Sequence, residues 1–199
     1  MHHVPNDLRA KKSVDSITKG LESCLQEKPL DQIKVKDLCE RCGVSRATFY
    51  RLFDSIIDVF SYECDAIRDA TMEIIRNNFF QDQTDIARRC EKLWVRHEVL
   101  MKALVDFNLI GVLYDSHMRH KDELKELYST YYEDETQFQC FVSLLVSFIY
   151  VALTVYFAHE GKLEDNDVFL MVYKHTSKIL ETWKKAMPNT VENSSLPEK

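Results

Sequence analysis

Glycine and proline are scarce in this chain, with four of each among 199 residues. So few breakers leave long uninterrupted segments, which suits helices and argues against a sheet protein rich in turns. Met1–Lys12 is polar and lacks the apolar core of a secretory leader. The expectation is therefore a cytoplasmic protein whose six cysteines stay reduced. No glycine-rich phosphate loop, nucleophile elbow or self-sufficient pair of carboxylates stands out, so neither an enzyme nor a cofactor is expected.

What is present is apolar material in helical periods. Hydrophobic residues make up 45% of the chain, ample for a buried core. The net charge of -6 is unevenly spread: Met1–Phe53 holds ten Lys and Arg against seven Asp and Glu, and the remainder 16 against 25. A mildly basic head on an acidic body fits a small nucleic-acid-reading head. Val14, Ile17, Leu21, Cys24 and Leu25 predict a first helix over about Asp7–Glu27, which Pro29 ends. Short helices follow at Val35–Arg41 and Arg46–Leu52, the second with Ala47 and Leu52 turned inward, and a long one at Ser55–Asn78. Further patterns cover about Asp85–Arg96, Glu98–Val105 and Leu109–Leu127, and Glu133–Thr136 carries a break and a capping signal.

Phe138–Ala158 is the least polar stretch, interrupted only by Gln139, Ser143, Ser147 and Thr154. Its length would allow it to cross a bilayer, which takes about 20 apolar residues. Acidic Glu133, Asp134 and Glu135 precede it and no basic cluster follows, so no membrane is expected. A helix apolar on all sides can instead be covered by its own domain and by a second copy of the chain. After Gly161 a last helix runs through Val168, Phe169, Val172, Ile179, Leu180 and Trp183, and beyond Pro188 the residues 189–199 form a loose tail.

The segment Ile33–Phe53 reads as a helix-turn-helix: a bracing helix, a tight turn at Gly43, and a second helix that Ser45 can cap. That leaves Ser45, Arg46, Thr48, Phe49, Tyr50 and Arg51 to share the exposed faces of the second helix. The segment resembles the N-terminal domain of the tetracycline-repressor (TetR) family. Gly43-Val44-Ser45, Ala47, Phe49-Tyr50 and Phe53 stand in the register of that family's pattern. The motif resemblance spans about Ser13–Phe60, and helix count and length extend it to Pro188. It implies Ser45, Arg46 and Thr48 near base edges or backbone, with Tyr50 on a phosphate. A guanidinium at Arg46 can grip guanine O6 and N7 together, whereas Lys34, Lys36 and Arg51 are better suited to phosphates. Two positions depart from the family pattern: Lys34 replaces a capping Thr, and Ile56 replaces a Lys that would anchor a phosphate.

The other motifs have plainer readings. Cys39-Glu-Arg-Cys42 lacks a second pair of ligands for zinc, and its cysteines stand where the resemblance places small core residues. His117 and His120 lie one helical turn apart and could hold a metal, but as solvated residues they need none, and no metal is expected. The resemblance places an effector pocket in the aromatic-rich middle of the chain, with Trp94, Met101, Phe107, Tyr114 and Tyr131 as its candidate lining. Tyr156-Phe157 and Glu160-Gly161-Lys162 resemble a branch whose last two helices form a four-helix bundle with their copies, which points to Leu145, Phe148, Ala152, Val172, Ile179 and Trp183 as dimer contacts.

The expectation is thus an all-α chain of about nine helices: a three-helix head (1–54), a long fourth helix leading into a core and dimerisation domain (55–188), and a tail. Its partners would be a pseudo-palindromic duplex DNA operator, a second copy of itself and a small organic effector. An interaction protein with weak or lost DNA binding is the alternative, because Ile56 removes a phosphate anchor.

Overall fold

A computed structural model describes residues 3–5, 7–78, 83–129, 133–159, 171–172 and 178. The described residues are all-α: α1 (Leu8–Glu27), α2 (Val35–Cys42), α3 (Arg46–Leu52), α4 (Ile56–Asn78), α5 (Gln83–Arg96), α6 (Glu98–Asp106), α7 (Ile110–Arg119), α8 (Lys121–Leu127) and α9 (Glu135–Ala158). The Gly161 loop, nearly all of the last helix and the tail lie outside the described residues, although Met171–Val172 and Lys178 are helical.

Local chemistry accounts for most boundaries. Asp7 caps α1 by accepting from the Arg9 and Ala10 amides. Asp134 caps α9 through the Gln137 amide at 2.8 Å, as the acidic break before the apolar run implied. The segment 109–127 is two helices, not one. His120 interrupts it, and the His117 and His120 rings both turn back onto backbone carbonyls of the preceding turn. Asn108, at φ 52°, makes the turn between α6 and α7 in the left-handed region that asparagine tolerates. Tyr150 of α9 donates to its side-chain oxygen at 3.1 Å.

The head is held by close packing and by ion pairs that flank it. Ile17, Leu21, Leu38, Phe49, Leu52 and Phe53 are wholly buried. α1 and α2 come close at Gly20, where an added Cβ would sit 3.0 Å from Cys42 Cβ and 3.1 Å from Leu38 Cδ1. Arg41 of α2 reaches Ser23 at 2.8 Å and forks onto the Glu27 carboxylate of α1, while Lys28 meets Asp37 at 2.8 Å. Cys39 is buried and Cys42 half-buried against this seam, which fits small-core packing. Burial raises the Cys39 thiol above its ordinary pKa and keeps it protonated.

The hydrophobic core is continuous from Ala10 in α1 to Val172. α4 carries the chain out of the head, packing on α1 at its start and on α5 and α7 farther along. α9 lies on α6 and α7. Across α4, Arg119 bonds Asp65 at 2.7 Å, and Arg68 lies 2.7 Å from Glu123, which also pairs with Arg76. Gly20→Val should destabilise the protein, because overpacking here costs about 1–3 kcal/mol and exceeds the few tenths of a kcal/mol, roughly, that a helical valine returns over glycine. Urea unfolding of the variant against the parent measures the difference.

Candidate nucleic-acid interface

Gly43 adopts φ 68°, ψ 24°, ending α2 in the left-handed conformation that a glycine takes without Cβ strain. The chain then extends through Ser45, whose Oγ accepts the Thr48 amide at 3.1 Å and lies 2.9 Å from the Thr48 hydroxyl. Both hydroxyls are therefore engaged in starting α3.

The buried side of α3 fixes its rotation. Phe49 and Leu52 are wholly buried, and the Phe49 ring meets Phe53 at a centroid distance of 6.0 Å. This corrects two expectations. Phe49 cannot present itself to DNA, because it fills the head's core. Ala47 is exposed, not inward. Five residues separate it from Leu52, and at about 100° per residue that places them about 140° apart around the helix.

The outward face therefore centres on Ala47, with Arg46 and Tyr50 on one side and Arg51 on the other, all exposed. Tyr50 stands with its ring edge-on to Phe49 at 5.4 Å, which braces it at the surface. Ala47, expected to face inward, stands instead at the centre of the exposed face, where its small side chain leaves the α3 backbone open. Lys34 precedes α2 and is exposed, with no side-chain capping bond, as its replacement of a Thr suggested. Lys36 is exposed and only loosely paired with Glu40, at 3.8 Å. Among the described residues, Lys34, Arg46 and Arg51 enter no ion pair, so their charges are available. Ile56 is buried at the first turn of α4. It serves packing, and a lysine there would have to leave the core to reach a phosphate.

Residues 17–61 match the family model of bacterial regulatory proteins, tetR family. The head is a helix-turn-helix of the tetR kind. The solved structure of Lin0861 from Listeria innocua aligns over 94% of this chain and 97% of that one, with a TM-score of 0.65 and 20% identity. That likeness concerns the fold and reaches beyond the head through the helical body. No curated protein sequence matches the chain.

The body of this tetR-headed chain encloses a cavity of about 60 Å³. α4 supplies one wall with Cys64, Ile67, Arg68, Thr71, Met72 and Ile75, faced by Trp94, Met101, Leu113, His117, Tyr128, Leu145 and Ile149. Of the residues expected in an effector pocket, Trp94 and Met101 line this cavity. Phe107 lies instead in a groove between the end of α1 and α6, and Tyr114 is half-buried away from the cavity. Tyr131 lies outside the described residues.

The polar groups of the cavity were not anticipated. Arg68 is buried and its Nε has no hydrogen-bond partner. His117 is buried, not solvated, and its Nδ1 lies 2.7 Å from the Leu113 carbonyl. Burial lowers its pKa, outweighing the hydrogen bond that raises it, so the ring is neutral near pH 7, donates from Nδ1 and leaves Nε2 as an acceptor. The Trp94 indole donates to Thr71 Oγ1 at 3.0 Å, which fixes the wall between them.

These placements give distinct expectations for duplex binding. Arg46→Ala should cost about 1–3 kcal/mol and relax preference at one base pair per half-site. Tyr50→Phe should weaken all sequences evenly, and Lys34→Ala or Lys36→Ala should flatten the salt dependence by about one phosphate each. Titrating each variant against specific and scrambled duplexes at several salt concentrations checks this.

Proposed function

We propose that the protein is a homodimeric, sequence-specific DNA-binding repressor whose affinity for its operator is set by a small molecule in the core cavity. The observation that carries the reading is the outward face of α3. It presents Arg46, Ala47, Tyr50 and Arg51 together beside the Gly43 turn while Phe49 and Leu52 lock the helix from behind. A cytoplasmic location and the division into a head (1–54) and a body (55–188) belong to the same proposal. An interaction protein acting without DNA gains nothing from a basic face at this position.

The dimer surface is read from α9, one side of which is exposed in the single chain. Of the contacts expected there, Ala152 and Val172 are buried within their own chain, Leu145 lines the cavity and Phe148 is half-buried. Ile179 and Trp183 lie outside the described residues. The uncovered stripe is instead Cys140, Leu144, Ser147, Val151, Thr154 and Ala158, spaced alternately by four and three residues, with Leu144 at 71% exposure. That spacing suits helix-on-helix packing, and its small residues permit close approach. Gln139, Ser143, Ser147 and Thr154, the four polar residues of the apolar run, are all exposed on this same side of the helix.

The cavity supports control through α4. At about 60 Å³ it is well under half of the roughly 150 Å³ that holds a benzene-sized molecule. An organic effector must therefore push its walls apart, and one of those walls is the helix that begins immediately behind α3. Such a ligand shifts operator affinity because it prefers the expanded body over this one. Arg68 Nε favours an acceptor on the ligand and His117 Nε2 a donor, on an otherwise apolar frame.

Selection from a random duplex pool should recover a pseudo-palindrome with half-sites about one helical turn apart or slightly more. Recovery of no preferred duplex would favour the interaction-protein reading. Leu144→Arg should convert a dimer at micromolar concentration into monomer and abolish binding to the full palindrome, as light scattering and titration would show. An unchanged dimer would place the interface elsewhere.

A further inference from the structure

Away from the reading face and the cavity, three metal-ligand side chains meet where the head joins the body. Glu22 stands on α1, Glu63 on α4 and His97 at the turn between α5 and α6. One ligand atom from each lies within 4.8 Å of the other two. All three residues are half-buried. His97 Nδ1 is buried without a hydrogen-bond partner and lies 3.9 Å from Glu22 Oε1, too far for a hydrogen bond. The backbone of His97 is pinned on both sides, its amide donating to Trp94 and its carbonyl accepting from Met101.

The acids have no cation of their own. Among the described residues no lysine or arginine pairs with Glu22 or Glu63. Burial and the charge of Glu22 raise the Glu63 carboxyl above its ordinary pKa, while a hydrogen bond from Thr18 opposes them and the charge of Asp15 adds to the rise. A doubly charged ion balances both and occupies the bare nitrogen at once.

We propose that Glu22, Glu63 and His97 bind a first-row divalent transition cation that ties α1 of the head to α4 and to the start of α6. One imidazole nitrogen with two carboxylate oxygens suits Zn²⁺, Mn²⁺ or Co²⁺, with water completing the coordination. Ligand atoms about 2.0–2.2 Å from such an ion lie about 3.3–3.6 Å apart, so rotamer adjustments of about an ångström close the site. The proposal needs no DNA and stands apart from the reading of α3.

The test uses the full-length protein, stripped by a chelator and titrated with Zn²⁺, Mn²⁺ and Co²⁺ by calorimetry and thermal melting. The site predicts one high-affinity ion per chain and a higher melting temperature. Glu63→Gln should weaken binding at least tenfold while leaving the metal-free protein as stable as the parent or more so, because it removes a like-charge repulsion. His97→Gln should weaken binding comparably. His120→Gln, and His2→Gln with His3→Gln, should leave it unchanged. Bound Co²⁺ should show weak visible bands without the intense near-ultraviolet absorption of thiolate ligation. Uptake of none of the three cations, or uptake unaltered by both Glu63→Gln and His97→Gln, overturns the proposal.

Discussion

The face proposed to meet DNA depends on how α3 is rotated, and that rotation is set from inside. Phe49 and Leu52 of α3 and Phe53 just beyond it are wholly buried. Side chains of this size contribute roughly 1.5–3 kcal/mol each when buried. Turning the helix far enough to bring Phe49 outward would forfeit more than one guanidinium–guanine contact, at about 1–3 kcal/mol, could return. The hydrophobic side therefore decides which residues face outward, and leaves Arg46, Ala47, Tyr50 and Arg51 exposed.

α4 extends that constraint into the body. It starts with Ile56 buried behind the head, continues past Glu63 at the junction, and then forms the wall of the cavity with Cys64, Ile67, Arg68, Thr71 and Met72. Arg119 on Asp65 and Arg68 with Arg76 on Glu123 fasten the same helix to α7 and α8. One continuous helix thus links the back of the head to the wall of the cavity. Burial keeps His117 neutral beside Arg68, so the cavity offers hydrogen bonds without adding a second positive charge.

Much of this was legible in the sequence wherever a side chain's character and its spacing agreed. The stripe from Val14 to Leu25, the turn at Gly43 and the cap at Ser45 each had one physical reading, and α1 to α4 follow them closely. Inference failed where several rotations were compatible with the composition. α3 is only seven residues long, and the placement of Ala47 required Leu52 as a phase reference. α9 is mostly apolar, and only the four polar residues of its apolar run, Gln139, Ser143, Ser147 and Thr154, mark the exposed side on which Leu144 and Val151 also stand. Glu22, Glu63 and His97 are brought together from three separate elements, and nothing local in the sequence signals that meeting. His117 and Arg68 have the look of surface residues on polar helices, and only the packing of α4 against α7 buries them.

The most direct test of the account is photo-crosslinking from a single engineered residue at position 47. A benzophenone side chain there, in protein bound to its selected duplex, should crosslink to bases within each half-site. The same group at the exposed Val95 of α5 should give none. Specific binding retained with no crosslink from position 47, or equal crosslinking from both positions, would contradict the placement of α3 in the groove.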